Sequence, residues 1–154
     1  IICLSRQNLP LIRKDQGSKN CSENGAYIVA DFINKKKVIL MATGSEVHIA
    51  LNAREELEKR GIGTRVLSIP SWELLEQQDS RYKKKLFPTG TIRIAIEAGV
   101  KLGWEKWLFE NGGRSQNTSF IGMSSFGASG PVKDIFDHFK INVDEICRQV
   151  DSLI

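Results

Sequence analysis

Arg6 is the side chain in this sequence with the most direct chemical use. It lies in the run Ser5-Arg6-Gln7-Asn8, which comes directly before Leu9-Pro10. A guanidinium offers a planar fork of N–H donors that matches a phosphate or a carboxylate, so this run could hold an anion. The same run also fits a solvated loop, because Pro10 blocks continuation of a helix. The residue types alone favour the loop.

Two further stretches have the composition of a turn that could bind an anion. Thr43-Gly44-Ser45 follows a buried apolar run, and Ser124–Pro131 places Gly127 and Gly130 just before an apolar helical pattern. Backbone N–H groups at such turns can surround an anion, although glycines there more often only allow close packing. The residues of this possible anion site are Thr43, Gly44, Ser45, Phe126, Gly127 and Ser129.

Glu97 is the acidic residue best placed to serve a site. It follows the apolar stretch Ile92–Ile96, and the carboxyl ends of parallel strands are where α/β proteins usually bind ligands. The alternative, that Glu97 caps or braces a following helix, is the more common role for such a residue. The sequence leaves both open and favours the structural role.

Cysteine and histidine usage does not predict a metal site. Cys3, Cys21 and Cys147 are an odd number at unrelated spacings, and the sequence has only two histidines, His48 and His138. Zinc sites need closely spaced Cys and His ligands, so free thiols in a reducing compartment are the simpler interpretation. Cys147 is expected to pack in the core, and His48 is expected on a helix surface rather than as a catalytic base.

Charge and hydropathy argue against nucleic acid and membranes as partners. The 22 basic and 18 acidic residues give a net charge of +4, and most of the basic residues alternate with acids. The runs Lys35–Lys37 and Lys83–Lys85 are therefore interpreted as solvated faces, and nucleic-acid binding is not expected. No apolar run approaches the roughly 20 residues that cross a bilayer, so a cytoplasmic protein without membrane contact is expected.

The element that organises the chain is the strand, turn and helix of residues 37–61. Val38–Ala42 is a continuous apolar run, the pattern of a strand buried on both faces. Thr43 and Glu46 have the spacing of a capping box, and Gly61 suits the end of the helix. Ion pairs at i,i+4 are expected for Glu55 with Lys59 and Glu56 with Arg60 on the solvent side.

The rest of the chain repeats the alternation of strand and helix. Strands are predicted at 25–30, 65–69, 92–96 and 118–121, and helices at 72–75, 79–86, 102–108, 132–139 and 143–153, with Ser71 and Asn142 as N-caps. The first strand is expected to run antiparallel, because its connection to Val38–Ala42 is too short for a parallel crossover. The fold class is therefore α/β, a three-layer α/β/α sandwich around a mixed, mostly parallel five-stranded sheet with one antiparallel strand.

Several short segments, taken in order, resemble the C-terminal portion of transketolase. They are LSRQNLP at 4–10, GAY at 25–27, ATGSEV at 42–47, RVLSIPSWE at 65–73, EAG at 97–99, GW at 103–104 and FGASGP at 126–131. The resemblance implies that residues 1–24 are the end of the middle domain and a linker, and that residues 25–154 are the C-terminal domain. The start inside an apolar run without Met suggests that an upstream part is missing.

The resemblance also implies a function. Transketolases are homodimeric thiamine-diphosphate enzymes that use Mg or Ca and transfer two-carbon ketol units between sugar phosphates in the pentose phosphate pathway. In that family the Arg of the SRQN segment contacts the substrate phosphate, so Arg6 is expected to bind substrate. This chain lacks the GDG…N segment that holds the metal and diphosphate, so no cofactor is expected in it and the isolated chain should be inactive. Its partners would be the remaining transketolase domains, a second subunit and sugar phosphates.

The sequence also fits other functions. The chain could be a stand-alone regulatory module that binds a small anion at Thr43–Ser45 and Phe126–Gly130. It could also be the related C-terminal domain of a dehydrogenase E1 β chain or of deoxyxylulose-phosphate synthase, although LSRQNLP favours transketolase. Two positions depart from the family pattern: Ser124 stands where an acid is usual, and Lys140 stands where Gly is usual.

Overall fold

The computed structural model describes residues 5, 7–13 and 20–154. The strands in this part of the chain are β1 (Tyr27–Ala30), β2 (Lys36–Ala42), β3 (Gly63–Ser68), β4 (Ile92–Val100) and β5 (Thr118–Met123). The helices are α1 (Glu46–Lys59), α2 (Trp72–Glu76), α3 (Ser80–Leu86), α4 (Trp104–Phe109), α5 (Val132–His138) and α6 (Val143–Leu153), with a 3-10 turn at Ser115–Asn117.

The sheet has the strand order β1-β3-β2-β4-β5. β2 pairs in parallel with both β3 and β4, β4 pairs in parallel with β5, and β1 pairs antiparallel with β3. This confirms the predicted mixed five-stranded sheet with one antiparallel strand. β1 runs antiparallel to β2 as predicted, but it lies beside β3 because β3 and β4 already occupy both edges of β2.

The two faces of the sheet bury two separate apolar clusters, which makes the three layers. Alternation along β2 sends Val38, Leu40 and Ala42 to the face covered by α1 and α6, and Ile39 and Met41 to the face covered by α2, α3 and α4. All five side chains are fully buried. A central strand buried on both faces was the sequence prediction, and it is confirmed.

The start of α1 differs from the predicted capping box. The helix begins at Glu46 with Ser45 as the N-cap residue, and no side chain caps it there. The Thr43 carbonyl instead accepts a hydrogen bond from the Glu46 N–H at 3.2 Å. Gly44 has a φ of +53°, so the chain makes a left-handed turn before the helix begins. Thr43 is therefore two residues before the N-cap, Ser45, and not at the cap position.

The predicted ion pairs on α1 are also wrong in their partners. Lys59 pairs with Glu56 at i,i+3, with 2.8 Å between the charged atoms, and Arg60 pairs with Asp151 of α6. Packing of α6 against the end of α1 brings Asp151 within reach, which the local sequence could not show. Gly61 ends the helix with a φ of +77°, as predicted.

The end of β4 differs from the prediction and affects the site. β4 continues to Val100 rather than ending at Ile96, although its pairing with β2 stops at Ile96. Glu97 therefore lies in a strand, so the interpretation as a helix cap is wrong. Trp104 and Trp107 of α4 are 1% and 0% exposed and belong to the core.

The last two helices are less buried than their apolar stripes predict. Phe136 and Phe139 pack against the core, but Val132 is 42% exposed. Asn142 caps α6, because its Oδ1 accepts the Glu145 N–H at 3.0 Å. The Glu145 carboxylate pairs with Arg148 instead of capping the start of the helix.

Lys140 closes α5 in the conformation that glycine usually adopts. Its φ is +56°, its N–H bonds the Asp137 carbonyl at 3.1 Å, and the Ile141 N–H bonds the Phe136 carbonyl at 2.8 Å. These two bonds are the Schellman arrangement. The helix therefore ends with the usual geometry despite the lysine, at the cost of a left-handed backbone at a residue with a Cβ.

Lys140→Gly is expected to stabilise the domain. Removing the Cβ from a left-handed position should raise the free energy of unfolding by about 0.5–1 kcal/mol, after the larger backbone entropy of glycine is counted. Urea unfolding followed by circular dichroism measures it. Lys133→Gly, the same change at a right-handed position within α5, should lower stability instead; equal effects of the two variants would contradict the account.

Candidate functional site

A cavity of about 530 Å³ lies at the carboxyl edge of the sheet, between the ends of β2 and β4. The turn 43–46 forms one side, Glu97 and Ala98 form another, and Ser5 and Leu9 of the N-terminal segment complete it. The site exists because β2 and β4 stop pairing at Ala42 and Ile96 and their chains then diverge. The first chain turns into α1, and the second continues as the last four residues of β4, 97–100.

The turn residues present hydroxyl groups and one buried carboxylate to this cavity. Glu46 is only 3% exposed, and its Oε1 accepts a hydrogen bond from the Ser45 hydroxyl at 2.7 Å. His48 on the next turn of α1 uses its Nδ1–H to bond the Ser45 carbonyl. Glu46 was assigned to helix capping from the sequence, and its burial beside a second acidic residue depends on β4, which is distant in sequence.

Glu97 is the second carboxyl group of the cavity. Desolvation, with a smaller contribution from the charge of Glu46, raises the pKa of Glu97 from 4.5 to about 7. At neutral pH this carboxyl group is therefore shared between its protonated and ionised forms, so it can donate or accept a hydrogen bond. The cavity combines hydroxyls with a carboxyl group able to exchange a proton, which suits hydrogen bonding to a polar group.

The structure brings together only part of the predicted anion site. Thr43, Gly44 and Ser45 line the cavity, whereas Phe126, Gly127 and Ser129 are absent from its lining and lie in an exposed stretch. Glu46 and Glu97 in the same cavity oppose an anion electrostatically. Anion binding at these six positions stays a prediction.

Arg6, the predicted substrate-binding residue, lies outside the described residues, as does Cys3. Its sequence neighbours are described: Ser5 lines the carboxyl-edge cavity, and Gln7 lines a second cavity of about 280 Å³ against α1, α5 and α6. His48 also lines this second cavity and is partly buried, so it is not a free surface residue. The role of Arg6 stays a prediction.

Within the described ranges, no three His, Cys, Asp or Glu side chains converge in a way that could hold a metal ion. Cys21 and Cys147 are free thiols, and burial raises the pKa of Cys147. None of the helices in this part of the chain is long and apolar enough to cross a bilayer.

Comparison with known proteins points to one family. The family described as "Transketolase-like TK C-terminal domain" matches residues 25–142. A transketolase of Rhodobacter capsulatus is 44% identical over 154 residues, which is 100% of this chain and 23% of that protein. The chain thus spans about a quarter of the length of this relative.

Solved structures agree with the sequence relatives. The transketolase from Leishmania mexicana superposes with a TM-score of 0.74 at 34% identity, over 85% of this chain and 18% of that one. The transketolase from Campylobacter jejuni gives 0.72 at 32% identity, over 90% of this chain and 20% of that one. The similarity therefore holds in fold and in sequence together.

Proposed function

The chain belongs to the transketolase family as its C-terminal domain, and we propose that it serves a complete transketolase that transfers two-carbon ketol units between sugar phosphates. The observation that supports this most is the match of 100% of the chain to a transketolase four times as long. The segment Ser5-Arg6-Gln7-Asn8, which precedes the matched domain, supports transketolase over the related E1 β and deoxyxylulose-phosphate synthase families.

In this proposal the reaction chemistry belongs to the parts of the enzyme that lie outside this chain. Thiamine diphosphate, with a divalent metal, would supply the chemistry of ketol transfer. The described residues offer no cluster of metal ligands, so this domain would bind and orient substrate and contact the other domains and a second subunit. The isolated chain would be inactive.

A chimera tests the proposal directly. This chain replaces the matching 23% of the Rhodobacter capsulatus transketolase, and ketol transfer from a ketose phosphate is assayed with thiamine diphosphate and Mg²⁺. The chimera should be active, and the chain alone should show no turnover. Turnover by the isolated chain, or a folded chimera without activity, would contradict the proposed function.

Arg6 is proposed to bind the phosphate of the sugar. In the chimera, Arg6→Ala should raise KM for phosphorylated acceptors about tenfold, because a charge-assisted, bidentate contact to phosphate is lost. KM for an unphosphorylated acceptor should change little, and kcat should be retained. Arg81→Ala, the same change at an exposed position on α3, is the control. Equal losses for both acceptors would show that Arg6 has only a structural role.

A further inference from the structure

A cavity of about 450 Å³ lies near the amino end of β4, where the chain enters the strand. Its lining comes from the end of α3, the connection to β4 and the loop after α4, and consists of Lys84, Phe87, Pro88, Thr89 and Asn111. It shares none of these residues with the carboxyl-edge cavity. The volume is within the range of roughly 300–1,000 Å³ that small-molecule sites occupy.

Three buried N–H groups at this cavity and behind its wall have no hydrogen-bond partner among the described residues. They belong to Asn111 Nδ2, Arg93 Nε and Trp107 Nε1. Asn111 lines the cavity itself. Trp107 stacks on Phe87 with 6.2 Å between the ring centroids, and the guanidinium carbon of Arg93 lies 5.6 Å from the centroid of the same Phe87 ring. Because buried donors in folded proteins nearly always have an acceptor, this region is expected to receive one from a bound molecule.

The charges around the cavity favour an anion as that molecule. Arg93 is 1% exposed, and the hydrogen bonds of its guanidinium to described residues all go to backbone carbonyls, so none of them brings a carboxylate to neutralise it. Lys84 adds a second positive charge, and no acidic side chain is among the described residues that line the cavity. Glu110, whose charge reaches Arg93, is not in that lining. The cavity therefore differs in charge from the carboxyl-edge cavity, which holds two carboxyl groups.

We propose that this cavity, here called the amino-edge site, binds the phosphate group of a small phosphorylated molecule, with Asn111 Nδ2, the Lys84 ammonium group and the Thr89 hydroxyl as donors. The three donors belong to different elements, and a tetrahedral phosphate presents acceptor oxygens in several directions, whereas a carboxylate presents two in one plane. Arg93 contributes its charge from behind the wall without touching the ligand. The inference concerns binding alone and does not depend on the proposed function.

An NMR titration of the isolated chain with inorganic phosphate at constant ionic strength tests the site. The side-chain amide of Asn111 should shift and saturate, and Lys84→Ala should weaken the affinity about tenfold, because one charge-assisted hydrogen bond is lost. Lys85→Ala is the matched control: this lysine is the next residue, is also exposed and lines a different cavity, so the affinity should change by less than about twofold. Equal weakening by the two variants would assign the binding to net charge and overturn the proposal.

A second variant tests the unpartnered amide. Asn111 has a φ of +50°, which glycine adopts readily, so Asn111→Gly removes the side chain and keeps the backbone. It should also weaken phosphate binding about tenfold. An unchanged affinity in this variant, or the absence of saturable binding to the parent, would overturn the proposal.

Two further probes identify the ligand class. Phenyl phosphate should bind more tightly than inorganic phosphate, because its ring can contact Phe87 and Pro88 in the cavity lining. Equal affinity for the two would assign the site to the free ion, and acetate binding as tightly as phosphate would assign it to carboxylates. Either result would overturn the proposed ligand.

Discussion

Arg93→Met is expected to lower the free energy of unfolding by about 3–5 kcal/mol. Arg93 lies in β4 and is 1% exposed, so its guanidinium is removed from water. Its Nη1 donates to the carbonyls of Leu108 and Glu110, and its Nη2 makes longer contacts of 3.5 Å to the carbonyls of Phe87 and Pro88. One side chain therefore ties the ends of α3 and α4 to the sheet.

Two effects compete in this substitution. Burial lowers the pKa of Arg93, which shows that desolvation opposes the charge, and replacing a buried ion with an apolar side chain can be neutral when its partners are replaced as well. Here the partners are backbone carbonyls, which remain buried after the substitution. Each carbonyl left without a donor costs about 1–3 kcal/mol, so the loss of donors should outweigh the relief of desolvation.

Urea unfolding of the isolated chain measures the effect, with Arg148→Met as the control. Arg148 pairs with Glu145 on α6 and its side chain is 64% exposed, so its replacement should change stability by less than about 0.5 kcal/mol. Arg93→Lys should fall between the two, because a lysine ammonium can still reach part of the carbonyl cluster. An Arg93→Met domain as stable as the parent would show that the carbonyl contacts contribute nothing.

The strands, helix caps and helix ends were predicted well, because each depends on residues that are close in sequence. The run Val38–Ala42, the Ser71 and Asn142 caps and the φ of +77° at Gly61 follow from residue type and spacing. Such signals reduce the number of possible strand orders in the sheet but do not determine which one forms. The position of β1 beside β3 depends on which edge of the sheet is free after the parallel strands have paired.

The burial of charged residues and their hydrogen-bond partners could not be predicted from the sequence. Glu58 was not singled out on the polar side of α1, yet its carboxylate accepts hydrogen bonds from the N–H groups of Ile33 and Asn34 at 3.0 Å and of Thr64 at 2.7 Å. Arg93 interrupts an apolar strand, and its partners come 5 to 17 residues away. Such contacts depend on the tertiary arrangement, which periodicity does not encode.

The candidate site was also predicted only in part. The sequence indicated the turn Thr43–Ser45 and the carboxyl edge as a place for ligands, and the structure places a cavity there. The second buried carboxyl group, Glu46, was interpreted as a cap because its spacing from Thr43 fits a capping box. Only the pairing of β2 with β4 brings Glu46 and Glu97 to one cavity.

The proximity of these two carboxyl groups leads to the second large prediction, that Glu97→Gln stabilises the isolated domain at high pH and not at low pH. Burial and the Glu46 charge raise the pKa of Glu97 from 4.5 to about 7. Below pH 4.5 the carboxyl group is protonated in both the folded and unfolded states, so it contributes no pH dependence. Between pH 4.5 and about pH 7 only the unfolded state releases the proton, so the free energy of unfolding falls as the pH rises.

Above pH 7 Glu97 is ionised in the folded parent domain, and desolvation together with the charge of Glu46 then lowers the free energy of unfolding. Glutamine carries no charge, so it removes this penalty. The pKa difference sets an upper limit of about 3 kcal/mol. Partial exposure to solvent reduces the expected gain to about 2 kcal/mol. Urea unfolding at pH 4 and pH 8.5 measures it: the variant should equal the parent at the lower pH and exceed it at the higher one.

Two companion variants identify the cause. Glu55→Gln, on the exposed side of α1, should change stability by no more than a few tenths of a kcal/mol at either pH. Glu46→Gln removes the neighbouring charge, so it should lower the pKa of Glu97, although desolvation still raises that pKa above 4.5. In this variant the fall of the free energy of unfolding with rising pH should therefore occur over a lower pH range than in the parent. An equal gain from Glu97→Gln at pH 4 and pH 8.5 would mean that packing, and not ionisation, governs this residue.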